Sequence, residues 1–211
     1  MSGSQAEMDS LGVLNQGWGI CGFTSSFYAV YAQNPGIRGL VINAAIPTRV
    51  LADIKTYLVG LKAAGNTKLL QEIEAFTRTF GVVGKCDFGK FTIDTYIERI
   101  NGINGKSDAQ LTGDANFSIA MPPQAVADYL TDIWQAECDL EVVNGGSGGV
   151  ADGIIGVTKG TMQMYDGLCH YMYRRGNNIY SWGQVFNSVA AANKDFRVCR
   201  VIKIKQFKQG A

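Results

Sequence analysis

Asn15-Gln16-Gly17-Trp18-Gly19-Ile20-Cys21-Gly22-Phe23-Thr24-Ser25-Ser26-Phe27 is the stretch on which the reading of this chain turns. A glutamine precedes a glycine-rich turn, and the turn delivers a cysteine at the start of a run of aromatic and small residues. Phe23, Phe27, Val30 and Tyr31 recur at helical spacing and Asn34-Pro35-Gly36 stops the run, which predicts a helix from Cys21 to about Gln33. A cysteine in the first turn of a helix meets the partial positive charge of unpaired N–H groups, which lowers a thiol pKa. The pattern predicts a thiolate nucleophile at Cys21, with the Gln16 amide and the Cys21 N–H turned toward an oxyanion forming on a substrate carbonyl. The plainer alternative is an amphipathic core helix that begins with a buried Cys.

The chain contains one histidine, His170, which stands 149 residues after Cys21. Alone it reads as a structural histidine on a strand; with the Cys21 segment it reads as the general base. These segments resemble papain-like cysteine peptidases, bacterial types included, whose histidine follows the nucleophile by roughly 130–150 residues. Tyr180-Ser181-Trp182-Gly183 is similar to the Asn-Ser-Trp-Gly of papain, with Tyr180 where the imidazole-orienting Asn would stand. The resemblance covers two islands, residues 15–31 and 167–184. It implies a helical N-terminal lobe, with a central nucleophile helix, packed on an antiparallel β-sheet C-terminal lobe. It implies Cys–His chemistry with neither a cofactor nor a metal.

The residue that fixes the imidazole depends on a hairpin register. A three-residue Gly176-Asn177-Asn178 loop puts Gln184 opposite His170, whereas a two-residue loop puts Gly183 there with Ser181 on the diagonal. One residue of slip decides between them. Gln184 is the preferred candidate because its amide oxygen accepts from a ring N–H; Asn187 and a plain Cys–His dyad are the other options. Trp182 either shields that bond or packs in the core.

The 211 residues suffice for one domain with two lobes around a cleft. Residues 1–14 read as a loose arm, about 15–135 as helical and about 136–211 as strand-rich, an α+β pattern. Thr48 reads as the cap of a helix carrying Val50, Leu51, Ile54, Leu58 and Leu61, and further helices are predicted over 67–79, 91–100 and from Pro122-Pro123. Residues 101–118 read as a long loop and 39–46 as an ambiguous apolar run. Strands are predicted over 138–143, 154–157, 161–164, 168–175, 179–182 and 196–204, with a short helix over 185–192.

Formal net charge is +1, which gives no broad attraction to nucleic acid or acidic membranes. Five scattered cysteines lack zinc-type pairing and suit a reducing compartment; Cys86, Cys138, Cys169 and Cys199 read as small buried apolar residues. No secretory signal opens the chain and no run is long enough to span a membrane. The expected location is the cytoplasm, or a target cell reached by export without a cleaved signal. Gly17-x-Gly19-x-x-Gly22 lacks the strand of a dinucleotide fold, and the glycine loop at 144–149 lacks the Lys-Ser/Thr of a phosphate loop, so it reads as a hinge or cleft rim. Lys203, Lys205 and Lys208 have the spacing of an exposed edge-strand face.

The resemblance implies a cysteine protease that hydrolyses peptide bonds in a protein or peptide substrate. A bacterial effector or toxin checked by an inhibitor or immunity protein would suit the early nucleophile. A peptidoglycan peptide amidase using the same chemistry and a catalytically silent papain-like binding module are the alternatives.

Overall fold

The computed structural model describes residues 3–38, 46–83, 86–143, 152–160 and 164–208. Helix α1 (Gly3–Trp18) occupies the predicted loose arm. Met8, Leu11, Leu14 and Trp18 are buried along it, a stripe at helical spacing that the surrounding polar residues obscure. After the turn at Gly19 and Ile20, α2 (Cys21–Gln33) runs over the predicted range and is buried on all sides from Gly22 to Val30. It is the central helix, packed against α1, the helix at 123–134 and the sheet.

Helix α3 (Pro47–Ala63) buries the predicted Val50, Leu51, Ile54, Leu58 and Leu61, and Tyr57 with them. Its cap position is Ile46, with Pro47 in the first turn. Thr48 therefore does not cap it; its N–H and Oγ1 both donate to Asp108 Oδ1, at 3.2 and 2.6 Å. Asn66 caps α4 (Thr67–Arg78) by accepting from Leu69 N–H. The two-residue strands β1 (Val82–Val83) and β2 (Cys86–Asp87) make a small antiparallel hairpin, and α5 (Ile93–Asn101) follows with Thr92 as cap. The predicted long loop contains a short helix, α6 (Asp108–Thr112), set by a reciprocal capping box between Ser107 and Gln110. Helix α7 (Pro123–Trp134) ends the helical part.

The remainder is one six-stranded antiparallel sheet in the order β3-β8-β4-β5-β6-β7. Its strands are β3 (Ala136–Val142), β4 (Gly153–Thr158), β5 (Leu168–Arg175), β6 (Asn178–Ser181), β7 (Gln184–Phe186) and β8 (Arg197–Phe207). The last strand is not at an edge, since β8 lies between β3 and β4. Its lysines face β3 carboxylates, Lys203 on Glu141 at 2.6 Å and Lys205 on Asp139 at 2.7 Å. The predicted helix at 185–192 is divided between β7 and α8 (Val189–Ala192).

The protein is thus α+β, with helices preceding an antiparallel sheet. Alternation along β4 and β8 sends Ile154 and Ile202 into the core shared with the helices. Ile155 and Val201 go to a smaller cluster on the opposite face, with Phe196 and Val198. Among the described residues no helix is long and apolar enough to cross a membrane. Most of the ambiguous run at 39–46, the glycine loop at 144–149 and most of the predicted strand at 161–164 lie outside the described residues.

Candidate active site

Asn15 and Gln16 occupy the last turn of α1. Trp18 anchors that turn, its indole N–H donating to Leu111 O at 3.0 Å in the core. The chain reverses at Gly19, whose φ of +62° suits glycine, and Cys21 becomes the first residue of α2. Gly22 is explained by packing: a Cβ there would sit 3.1 Å from Met121 Cβ and 3.2 Å from Val126 Cγ2. His170 enters from the sheet, on β5 opposite Val157 of β4.

These elements bring Gln16, Cys21 and His170 to the wall of one cavity of about 210 Å³. Asn15, Cys169 and Trp182 share the wall, with an apolar side made by Phe80, Val83 and Phe88. Backbone N–H groups of Tyr171, Gly22 and Cys21 itself face the sulfur. The Tyr171 N–H belongs to the residue after His170, so the sulfur lies against β5 beside His170 in the chain, and the two side chains share the cavity wall without a direct hydrogen bond between them.

The ring is held from two sides. His170 Nε2 lies 2.7 Å from Ser181 Oγ, and the Trp182 indole stacks on the imidazole with centroids 4.2 Å apart and planes 8° apart. The hairpin pairs Arg175 with Asn178, which leaves the two-residue turn Gly176-Asn177 and puts Ser181 on the diagonal from His170. Gln184 is accordingly corrected as the imidazole partner. It pairs with Ser181 across β6 and β7 and is exposed. Tyr180 points elsewhere, stacking on Tyr28.

Gln16 is exposed and its Nε2 donates to Trp182 O at 2.9 Å, which uses one of the two amide hydrogens. Trp182 has φ +50° and Gly183 +72°, and the turn they form lies against α1, where a Cβ on Gly12 would come 2.1 Å from Gly183 N. Asn15 is 5 % exposed, and its buried Oδ1 has no hydrogen-bond partner among the described residues. The sequence offered no signal for Asn15 or for the apolar wall; it did contain Ser181, as the unchosen register.

The electrostatics also correct the expectation of a resting thiolate. The three N–H groups act in the expected sense, but desolvation by the protein around it outweighs them and pushes the thiol of the half-buried Cys21 up to about 12. Burial, helped by the positive charge of Lys159, pulls His170 down to about 3. Both groups rest neutral. Cys169, beside Cys21 on the wall, is also raised by burial, its Sγ directed at Val157 O. It and Cys138 are half-buried and Cys199 is buried, while the Cys86 side chain lies outside the described residues. Among the described residues no three His, Cys, Asp or Glu side chains are grouped to hold a metal ion.

The arrangement can supply a sulfur nucleophile, a nitrogen base with one ring nitrogen occupied, and amide donors beside them. Comparison with protein-family models, with curated proteins and with solved structures finds no match to this chain.

Proposed function

We propose that the chain is a cysteine hydrolase of papain-like build that cleaves an amide bond in a protein or peptide. The observation that carries the reading is the convergence of Cys21, His170 and Gln16 on one cavity, with Ser181 holding the imidazole. A base role requires Nε2–H to donate to Ser181 Oγ, which leaves the Nδ1 lone pair to take the Cys21 proton. Sγ then attacks the carbonyl carbon. The oxyanion meets the Cys21 N–H and the second Nε2 hydrogen of Gln16, and Nδ1–H protonates the departing amine. Water, deprotonated by the same ring, releases the acyl group as a carboxylic acid.

The neutral resting pair constrains the first step. Moving a proton from a thiol at about 12 to a ring at about 3 costs on the order of 12 kcal/mol. Opposite charges regain only about 4 kcal/mol even at a contact distance of ~4 Å and an effective dielectric of 20. On this reading the proton leaves sulfur together with formation of the carbon–sulfur bond.

That same neutrality favours a second reading, a silent papain-like binding module. One experiment separates the outcomes. The wild type and Cys21→Ala are incubated with a denatured proteome and with muropeptides, and the products are read by mass spectrometry. New protein termini made only by the wild type support the peptidase, and shortened muropeptides support the cell-wall amidase. Neither product from a folded wild type overturns the hydrolase and favours the module. Delivery as a bacterial effector, with an immunity protein as its inhibitor, is the biological setting proposed for either hydrolase.

A further inference from the structure

A second cavity, also about 210 Å³, lies at the other end of α2 and shares no lining residue with the first. Its wall joins α1, α2, β5 and β6 through Met8, Tyr28, Tyr31, Tyr173 and Tyr180, with Arg38 and Arg175 at its edge. The two arginines are its distinguishing feature. Arg175 Nη1 donates to Ala32 O at 2.9 Å, and Arg38 Nη2 reaches the same oxygen at 3.5 Å while its Nε donates to Tyr31 O at 2.8 Å. Two guanidinium groups are thus gathered at one carbonyl.

Capping of the last α2 carbonyls accounts for one such cation. It does not account for two, because like charges brought together repel. Among the described residues neither arginine forms an ion pair. Asp152, whose charge raises Tyr173, accepts the Gly176 N–H at 2.7 Å. Among the described residues only a few of the ten N–H donors on the two side chains are used, and a guanidinium pair is the arrangement that grips a phosphate through several oxygens.

The rest of the wall selects the ligand's other half. Tyr28 and Tyr180 stack with centroids 5.6 Å apart, Tyr173 stands 6.0 Å from Tyr180, and Arg38 lies over the Tyr31 ring at 5.3 Å. These faces are engaged with one another and with Arg38, and the cavity that the same rings wall is the space left for a planar group. The geometry points to a binding site for a small phosphate monoester that carries a ring, with the phosphate between Arg38 and Arg175 and the ring on the tyrosines. The site is independent of the Cys21 chemistry, so its fate does not follow that of the hydrolase reading.

Calorimetric titration of the full chain at low ionic strength and pH 8 tests it, with phenyl phosphate, inorganic phosphate and phenol as probes. Phenyl phosphate should bind saturably and at least tenfold more tightly than inorganic phosphate, and phenol should give no saturable heat. Arg175→Gln should weaken phenyl phosphate at least tenfold, while Cys21→Ala leaves it unchanged. Affinity should fall as pH drops through about 6, where the phosphate loses its second charge. No saturable binding of phenyl phosphate, equal binding by Arg175→Gln, or phenol binding as well as its phosphate would each overturn the proposal. Should Arg175→Gln not fold, Arg175→Lys makes the same comparison: a several-fold loss is expected, and unchanged affinity overturns the site.

Discussion

Because His170 is the chain's one histidine, its state can be read from stability alone. The ring is 7 % exposed and sits near pKa 3 in the folded protein, against about 6.5 when unfolded. Below pH 6.5 the unfolded chain binds a proton that the folded chain refuses, so this residue's contribution falls as pH drops from 6.5 toward 3. Between pH 7 and pH 5 the loss is about 2 kcal/mol, or roughly 4–8 °C in Tm for a chain of this size. Asp53 opposes it. Burial lifts that carboxyl to about 6, over its hydrogen bond from Tyr129, so the folded state takes up a proton first and gains about 1 kcal/mol over the same interval. Asp128, also raised by burial, acts in the same sense. The wild type should therefore show a shallow net dependence, and His170→Gln should become more stable on acidification from pH 7 to 5. Urea unfolding followed by circular dichroism at half-unit steps measures both. A resting thiolate–imidazolium pair would raise the ring's pKa and reverse the sign, so that His170→Gln lost its stability relative to wild type on acidification. That result, or two parallel curves, would refute the neutral site.

Three further outcomes follow from the same geometry. At pH 8, iodoacetamide should label Cys21 about a thousandfold more slowly than an unperturbed thiol, with the rate still rising above pH 10; rapid labelling at pH 7 would contradict the buried thiol. Ser181→Ala should lower kcat of the proposed hydrolase by about tenfold or more, the worth of one positioning hydrogen bond, while Gln184→Ala leaves it within about twofold. Gly12→Ala, which would stabilise an exposed helix by up to about 1 kcal/mol, should instead destabilise by about 1–2 kcal/mol, because the new Cβ meets backbone at Gly183 and the Tyr28 hydroxyl at 2.8 Å. A rise in Tm for that variant would show that α1 does not press on the turn.

The sequence revealed elements whose signal is local and missed those whose meaning depends on a distant partner. Cys21–Gln33 was legible from aromatic spacing and its Pro-Gly stop, and the helix-then-strand order from periodicity. Helix α1 was not, because its buried residues lie among Gln, Asp, Ser and Gly, and only the rest of the fold tells which side is inward. α6 escaped for a different reason: the Ser107 and Gln110 capping pair was present, but a five-residue helix is too short to show a period. Cys21, His170 and Gln16, which line one cavity, could be named as candidates from chemistry and separation. Ser181 could not be chosen over Gln184, since that required the turn length, and neither pKa could be foreseen, because desolvation is a property of surroundings assembled from remote segments.

The helix hidden in the sequence is also the part that completes the site. Gly12 admits the Trp182–Gly183 turn against α1, and one helical turn later Gln16 ties down the Trp182 carbonyl. Neither contact alone would fix the indole, but together they hold its backbone in a left-handed conformation that Trp adopts only under constraint. The indole so held covers the imidazole, and its cover helps to keep water from the ring and the ring uncharged. On the proposed reading, the oxyanion donor and the shield of the base are one mechanical unit. Because Gln16 keeps one Nε2 hydrogen on the Trp182 carbonyl, the second can be offered to an oxyanion without disturbing the cover on His170.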